Sequence, residues 1–304
     1  MCRIVTSYIV CVAAVLSMAT KVSVANDWLN ATLDGRWDTA ANWSQGVVPT
    51  MTPDVNGNVN ITPSGTGSNA CVLDGTMSQA VCQWLHINGE LKVVAGGRMG
   101  EPIWGPGETF LGENGDAVIT IDGNNSHLRS EAWHLGATGT TTTIDTNYPG
   151  TCTVNVTNGG MMTMVWWGNW IGPKSTINLI NGTLRELGDW GLLIAKGGKI
   201  IMSGKNALIQ FQETQVYDAN EQFKLLTALV AAGKIVSNSP RCTLVVADRN
   251  HDLAGWATVR VTGCPCTTFA AGDFNLDCYV DFRVFAGFAG SWLSCIDPTD
   301  ANCL

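Results

Sequence analysis

Leu85-His-Ile-Asn-Gly-Glu-Leu-Lys-Val-Val-Ala-Gly-Gly-Arg-Met99 is the stretch that decides the fold. It is an apolar alternation, a Gly-Gly turn and a further apolar residue. In an extended chain successive side chains point to opposite faces, so the alternation gives each strand one apolar face. The phrase recurs. Taking the turn glycine as the anchor, Gly97, Gly123, Gly160, Gly182 and Gly204 fall 26, 37, 22 and 22 residues apart. Alternating strands precede them at 91–93, 118–121, 152–156, 177–179 and 200–202. The long interval holds a Thr-rich insertion, roughly 138–150. One unit of about 22 residues cannot bury an apolar face alone, but stacked units can. The expected fold is therefore mainly β, a right-handed parallel β-helix or solenoid, with coils about 4.8 Å apart. A β-sandwich built of hairpins is the competing arrangement.

Composition agrees with exposed sheet. Charged residues make up 14% of the 304 positions, against about 25% in average soluble proteins. Glycine is abundant at 34 residues. The net charge is -8 and no Lys/Arg cluster exists, which argues against nucleic acid as a partner. Residues 1–25 read as an export signal: Arg3, the apolar run 9–16, then the small residues Ser23-Val-Ala25. An uncleaved anchor is the rival reading, but the run is shorter than the ~20 residues of a membrane span. No span is expected in the mature chain, which is placed outside the cell or at its surface. Two of the eleven cysteines leave with the signal. Most of the rest should pair in an oxidising compartment. Cys71 with Cys82, and a set of Cys278, Cys295 and Cys303, are the candidates. A zinc site is the weaker alternative, since no CxxC pair occurs.

The flanks read as caps. Residues 27–61 carry Trp28, Trp37 and Trp43, bulky side chains suited to closing the end of an apolar stack. The order Trp…Gly-Arg-Trp-Asp…Asn-Trp-Ser-Gln-Gly-Val-Val-Pro…Asp-Val resembles the opening of secreted bacterial β-solenoid proteins of autotransporter-like or PEP-CTERM-type repeat. At 220–232 the spacing of Phe223, Leu226, Leu229 and Val230 predicts a helix, with Asn220 as N-cap and Gly233 as stop. Strands are expected at 234–236, 244–246 and 257–261. The body thus spans 26–262, followed by a linker at 263–270 and a small module at 271–304.

That module carries the most specific chemical signal. Asp273, Asn275, Asp277 and Asp281 place oxygen ligands at loop positions 1, 3, 5 and 9, and the Tyr279 carbonyl fills position 7. An apolar helical pattern follows. The order resembles a dockerin type I repeat, a degenerate EF-hand-like module of secreted polysaccharide-degrading systems. The resemblance implies calcium and a cohesin-like or other cell-surface protein as partner. Position 12, normally an acidic bidentate ligand, is Val284, which should weaken calcium binding. A solvated acidic turn is the bland alternative.

The body offers no nucleophile, metalloprotease or nucleotide motif. Tryptophans follow most of the turn glycines, among them Trp104, Trp133, Trp167 and Trp190. They suit either a packed corner or a carbohydrate-binding strip. Glu131, His134, Glu186 and Asp189 are the weak catalytic candidates, for a polysaccharide hydrolase or lyase. Scarce Lys and Arg count against a lyase. A secreted non-catalytic structural or adhesive protein is the leading expectation. An extracellular polysaccharide-binding protein or glycan-cleaving enzyme is the alternative.

Overall fold

The computed structural model describes residues 25–49, 58–62, 70–77, 80–100, 107–140, 143–165, 168–188, 192–213, 221–238, 242–249 and 251–262. Residues 1–24 of the expected signal, the linker and the 271–304 module lie outside the described residues, as do Trp104, Trp167, Asp189 and Trp190.

The chain is mainly β. Three seven-stranded sheets carry nearly all of it. The first takes Asn26–Asp27, Asn58–Ile61, Trp84–Ile87, Glu108–Leu111, Ala132–Leu135, Asn169–Ile171 and Leu192–Ile194. The second takes Cys71–Leu73, Glu90–Val94, Ala117–Asp122, Cys152–Thr157, Ser175–Ile180, Lys199–Ser203 and Ile235–Ser237. The third takes Arg98–Met99, His127–Ser130, Met161–Met164, Thr183–Glu186 and Leu208–Gln212, closed by Trp256–Thr262 and Thr243–Ala247. Every pairing within the first two sheets is parallel. From residue 117 to 212 the chain visits the second, third and first sheets in that order and repeats the circuit. This connectivity is compatible with a solenoid and differs from a sandwich of hairpins, whose neighbouring strands run antiparallel.

Register explains why the alternation matters. In the second sheet Leu91, Ile119, Val154, Ile177, Ile200 and Ile235 pair in succession, and all are buried. Val93, Ile121, Val156, Leu179 and Met202 form the next inward row. Of the outward residues between them, Lys92, Thr120, Asn155 and Asn178 are polar and only Ile201 is apolar. Asn155 and Asn178 are 23 residues apart, and Asn178 Nδ2 donates to Asn155 Oδ1 at 2.8 Å. Gly97, Gly160 and Gly182 show why the turns need glycine. A methyl group at each would overlap the carbonyl oxygen of Leu73, Ile121 or Val156 in the preceding circuit.

The insertion folds as an antiparallel hairpin, Ala137–Gly139 with Ile144–Asn147. At the start of the chain Trp28, Trp37 and Trp43 are fully buried, with ring centroids 4.9 and 4.8 Å apart in edge-to-face contact. Trp43 Nε1 donates to the Trp37 carbonyl at 2.8 Å. At the other end a helix, Glu221–Ala231, packs Leu226 into the core. Glu213 Oε1 accepts the Phe223 N–H at 3.0 Å, satisfying one of the open donors of the first helical turn. Gly233, at φ +65°, ends the helical stretch. The last two strands of the third sheet turn antiparallel.

The expected Cys71–Cys82 bridge is absent. Both thiols are free and buried in the apolar interior. Burial raises the pKa of each, suppressing the thiolate through which disulfides form.

Candidate functional site

The outward face of the first sheet gathers most of the chemistry-bearing side chains of the described body. Parallel register places His86, Phe110, His134 and Trp170 in one row. The rings of His86, Phe110 and His134 stack along it, with centroids 4.7 and 4.3 Å apart, and Trp170 lies 4.6 Å beyond His134 with its ring tilted by 46°. The hairpin covers the far end of the row. Trp170 Nε1 donates to the Thr140 carbonyl at 2.9 Å, and Trp170 is buried.

Carboxylates flank the row. Glu113 Oε2 lies 2.5 Å from His86 Nδ1. Glu108 Oε2 lies 3.3 Å from His134 Nε2, a polar contact outside hydrogen-bond alignment. His134 Nδ1 lies 3.2 Å from Thr138 Oγ1 of the hairpin. His134 holds the Glu108 carboxyl below its usual range, against the opposing effect of burial. Glu131 behaves oppositely. Burial raises its pKa, Arg129 opposes the rise, and the charge of Glu108 adds to it. Burial, and next the charge of Glu113, push the Tyr148 phenol up to about 12. Glu108 and Glu131 therefore shift in opposite directions, and the neutral Tyr148 phenol lies near Glu113 and Glu108.

Of the four weak catalytic candidates, His134 lies against Glu108, and Glu131, just before the same strand, feels the charge of Glu108. Glu186 is elsewhere. It lies on the third sheet between Met164 and Phe211 and is fully buried, facing the core. Trp133 also faces inward. It is fully buried, and its Nε1 donates to the Thr163 carbonyl at 3.1 Å. Its indole is core, with no face left for a sugar. Trp133 and Trp170 sit in neighbouring strands one register position apart, so they occupy opposite faces. Distance from a turn glycine does not fix which way a tryptophan points.

Sequence reading passed over Trp84, His86, Glu108, Glu113 and Tyr148. The signal was present in strand phase. Aligning the inward pairs Leu85/Ile87, Thr109/Leu111 and Trp133/Leu135 brings His86, Phe110 and His134 into one column. Among the described residues no group of three or more His, Cys, Asp or Glu side chains is arranged to hold a metal ion. No described helix is long and apolar enough to cross a membrane. Comparison with protein-family models, with curated proteins and with solved structures found no match for this chain.

Proposed function

We propose that this is a secreted, non-catalytic structural or adhesive protein of the cell surface. In this reading residues 26–262 form a right-handed parallel β-helix that serves as a stiff body, capped by tryptophans at one end and by helix and strands at the other. Residues 271–304 form the dockerin-like module. Asp273, Asn275, Asp277 and Asp281, with the Tyr279 carbonyl, bind calcium weakly there and dock the protein to a cohesin-like partner.

One observation carries the structural part of this reading. The aromatic and imidazole rings of the first sheet lie against one another along the row, with centroids 4.3 to 4.7 Å apart. Rings whose faces contact each other tie successive circuits together and are not free to receive a ligand. The repeated inward rows point the same way, because their burial is the stabilising term available to such a stack.

The test uses the intact secreted protein on the producing cells. Calcium chelation and the double substitution Asp273→Ala/Asp277→Ala should each release it from the surface. Retention unaffected by both would refute the docking reading. Incubation with a polysaccharide panel should release neither reducing ends nor unsaturated products, and either product would overturn the non-catalytic reading.

A further inference from the structure

One corner of the same face departs from the stacked pattern. Trp84 lies outward in the strand that carries His86, in register with Asn58 on one side and Glu108 on the other. It is 41% exposed, while the other described tryptophans are buried or half-buried. Among the described residues no ring stacks on it. The Glu108 side chain is 42% exposed. Gly107 lies close to Trp84 and to the carboxyl of Glu131. A methyl group there would stand 3.1 Å from the Gln83 carbonyl oxygen, 3.7 Å from Glu131 Oε2 and 3.8 Å from Trp84 Cδ1. The carboxyl and the indole therefore converge above a position that carries no side chain.

We propose that Trp84, Glu108 and Glu131 form a subsite for an uncharged sugar ring. The Trp84 indole offers a flat apolar surface to the C–H face of the sugar, and the two carboxyls accept hydrogen bonds from its hydroxyls. An exposed indole beside convergent polar groups has the composition of a binding site for a small amphipathic ligand.

The charges around the site select the ligand class. Glu108, Glu113 and Glu131 would repel a uronic acid. A basic peptide is also disfavoured, because the acids already face bases of this chain. Glu113 meets His86, Glu108 meets His134, and the charge of Arg129 acts on Glu131. A cationic ligand would have to displace those partners. Sugar hydroxyls need only the carboxyl lone pairs that remain. Glu131, raised by burial, also keeps its proton to a higher pH than a free carboxyl, and in that form it can donate as well as accept.

This inference rests on the body being exposed to glycans outside the cell, and it is independent of the docking module. Binding is therefore measured with intact purified protein in excess chelator, which silences any calcium-dependent docking. The probes are neutral glucan, xylan and mannan hexasaccharides, polygalacturonate and a lysine-rich peptide. Calorimetry and tryptophan fluorescence report binding. At least one neutral hexasaccharide should bind and shift the fluorescence. Trp84→Ala should weaken it about tenfold or more, and Trp84→Phe should keep part of the affinity. Equal melting temperatures confirm that the variants fold, and if Trp84→Ala does not fold, Trp84→Phe carries the test. The proposal is overturned if no neutral hexasaccharide binds, if polygalacturonate or the peptide binds more tightly, or if a folded Trp84 variant binds unchanged.

Discussion

Ile177→Ala should destabilise the protein several times more than Asn178→Ala, although the two positions are neighbours. Ile177 is fully buried between Val154 and Ile200 in the second sheet. Truncation to alanine removes three carbon groups, at about 0.8 kcal/mol each, for roughly 2.4 kcal/mol of lost transfer energy. A residual cavity raises the total to about 3–4 kcal/mol, because neighbouring strands fixed in register cannot close fully around the gap. Asn178 points outward, and its one side-chain hydrogen bond, to Asn155, is partly exposed. Its loss should cost only about 0.5–1 kcal/mol. Ile177→Val, which deletes a single methylene, should fall between them near 1 kcal/mol. Urea unfolding followed by far-UV circular dichroism measures all three. Equal costs at 177 and 178, or a larger cost at 178, would refute the assignment of faces. A register slip of one residue moves every side chain of a strand to the other side.

Two further outcomes follow from the same structure. In the tryptophan cap, burial acts to raise the Asp34 carboxyl, but the Arg36 N–H, Thr39 and Asn42 hydrogen bonds outweigh it and hold the pKa at about 2. The folded pKa lies below the unfolded value of 3.8, so between these values the unfolded chain binds more protons. Asp34 should therefore contribute its full stabilisation above about pH 4 and lose it as the pH falls toward 2. Asp34→Asn should flatten the acid limb of the melting temperature against pH, and an unchanged limb would discount this network. Cys71, Cys82 and Cys152 are buried, and burial lifts the Cys152 thiol to about 11. Iodoacetamide should leave all three unmodified in the native protein and alkylate all three in guanidinium, as located by mass spectrometry. A Cys71–Cys82 linked peptide would contradict the free thiols.

The body was legible in the sequence because its signal is local. The strands anticipated at 91–93, 118–121, 152–156, 177–179 and 200–202 all fall within the second sheet and differ by one or two residues at their ends. The helix and the three closing strands were anticipated in the same way. Period-2 alternation bounded by glycine is a strong pattern, and tryptophan-rich or helical caps interrupt it visibly. The candidate face was legible only in part. Glu131 and His134 stood out by residue type, but Glu108 and Trp84 did not. Their meeting depends on which strand lies beside which, a relation set across circuits by register. Trp133 suited either a packed corner or a sugar-binding strip, and its strand phase places it in the core. The Cys71–Cys82 expectation rested on closeness in sequence, and their side chains are instead buried as separate apolar groups.

Successive circuits of the second sheet stack in parallel with a constant step. Lys92, Thr120, Asn155, Asn178 and Ile201 are consecutive partners on the outward side of the second sheet. Spin labels at 92 and 201 span four steps of about 4.8 Å, so double electron–electron resonance should give a separation near 19 Å. Moving the first label to position 120 should shorten this by about 5 Å. Separations that do not decrease by one strand spacing per circuit would contradict the parallel stack and the side-chain rows built on it.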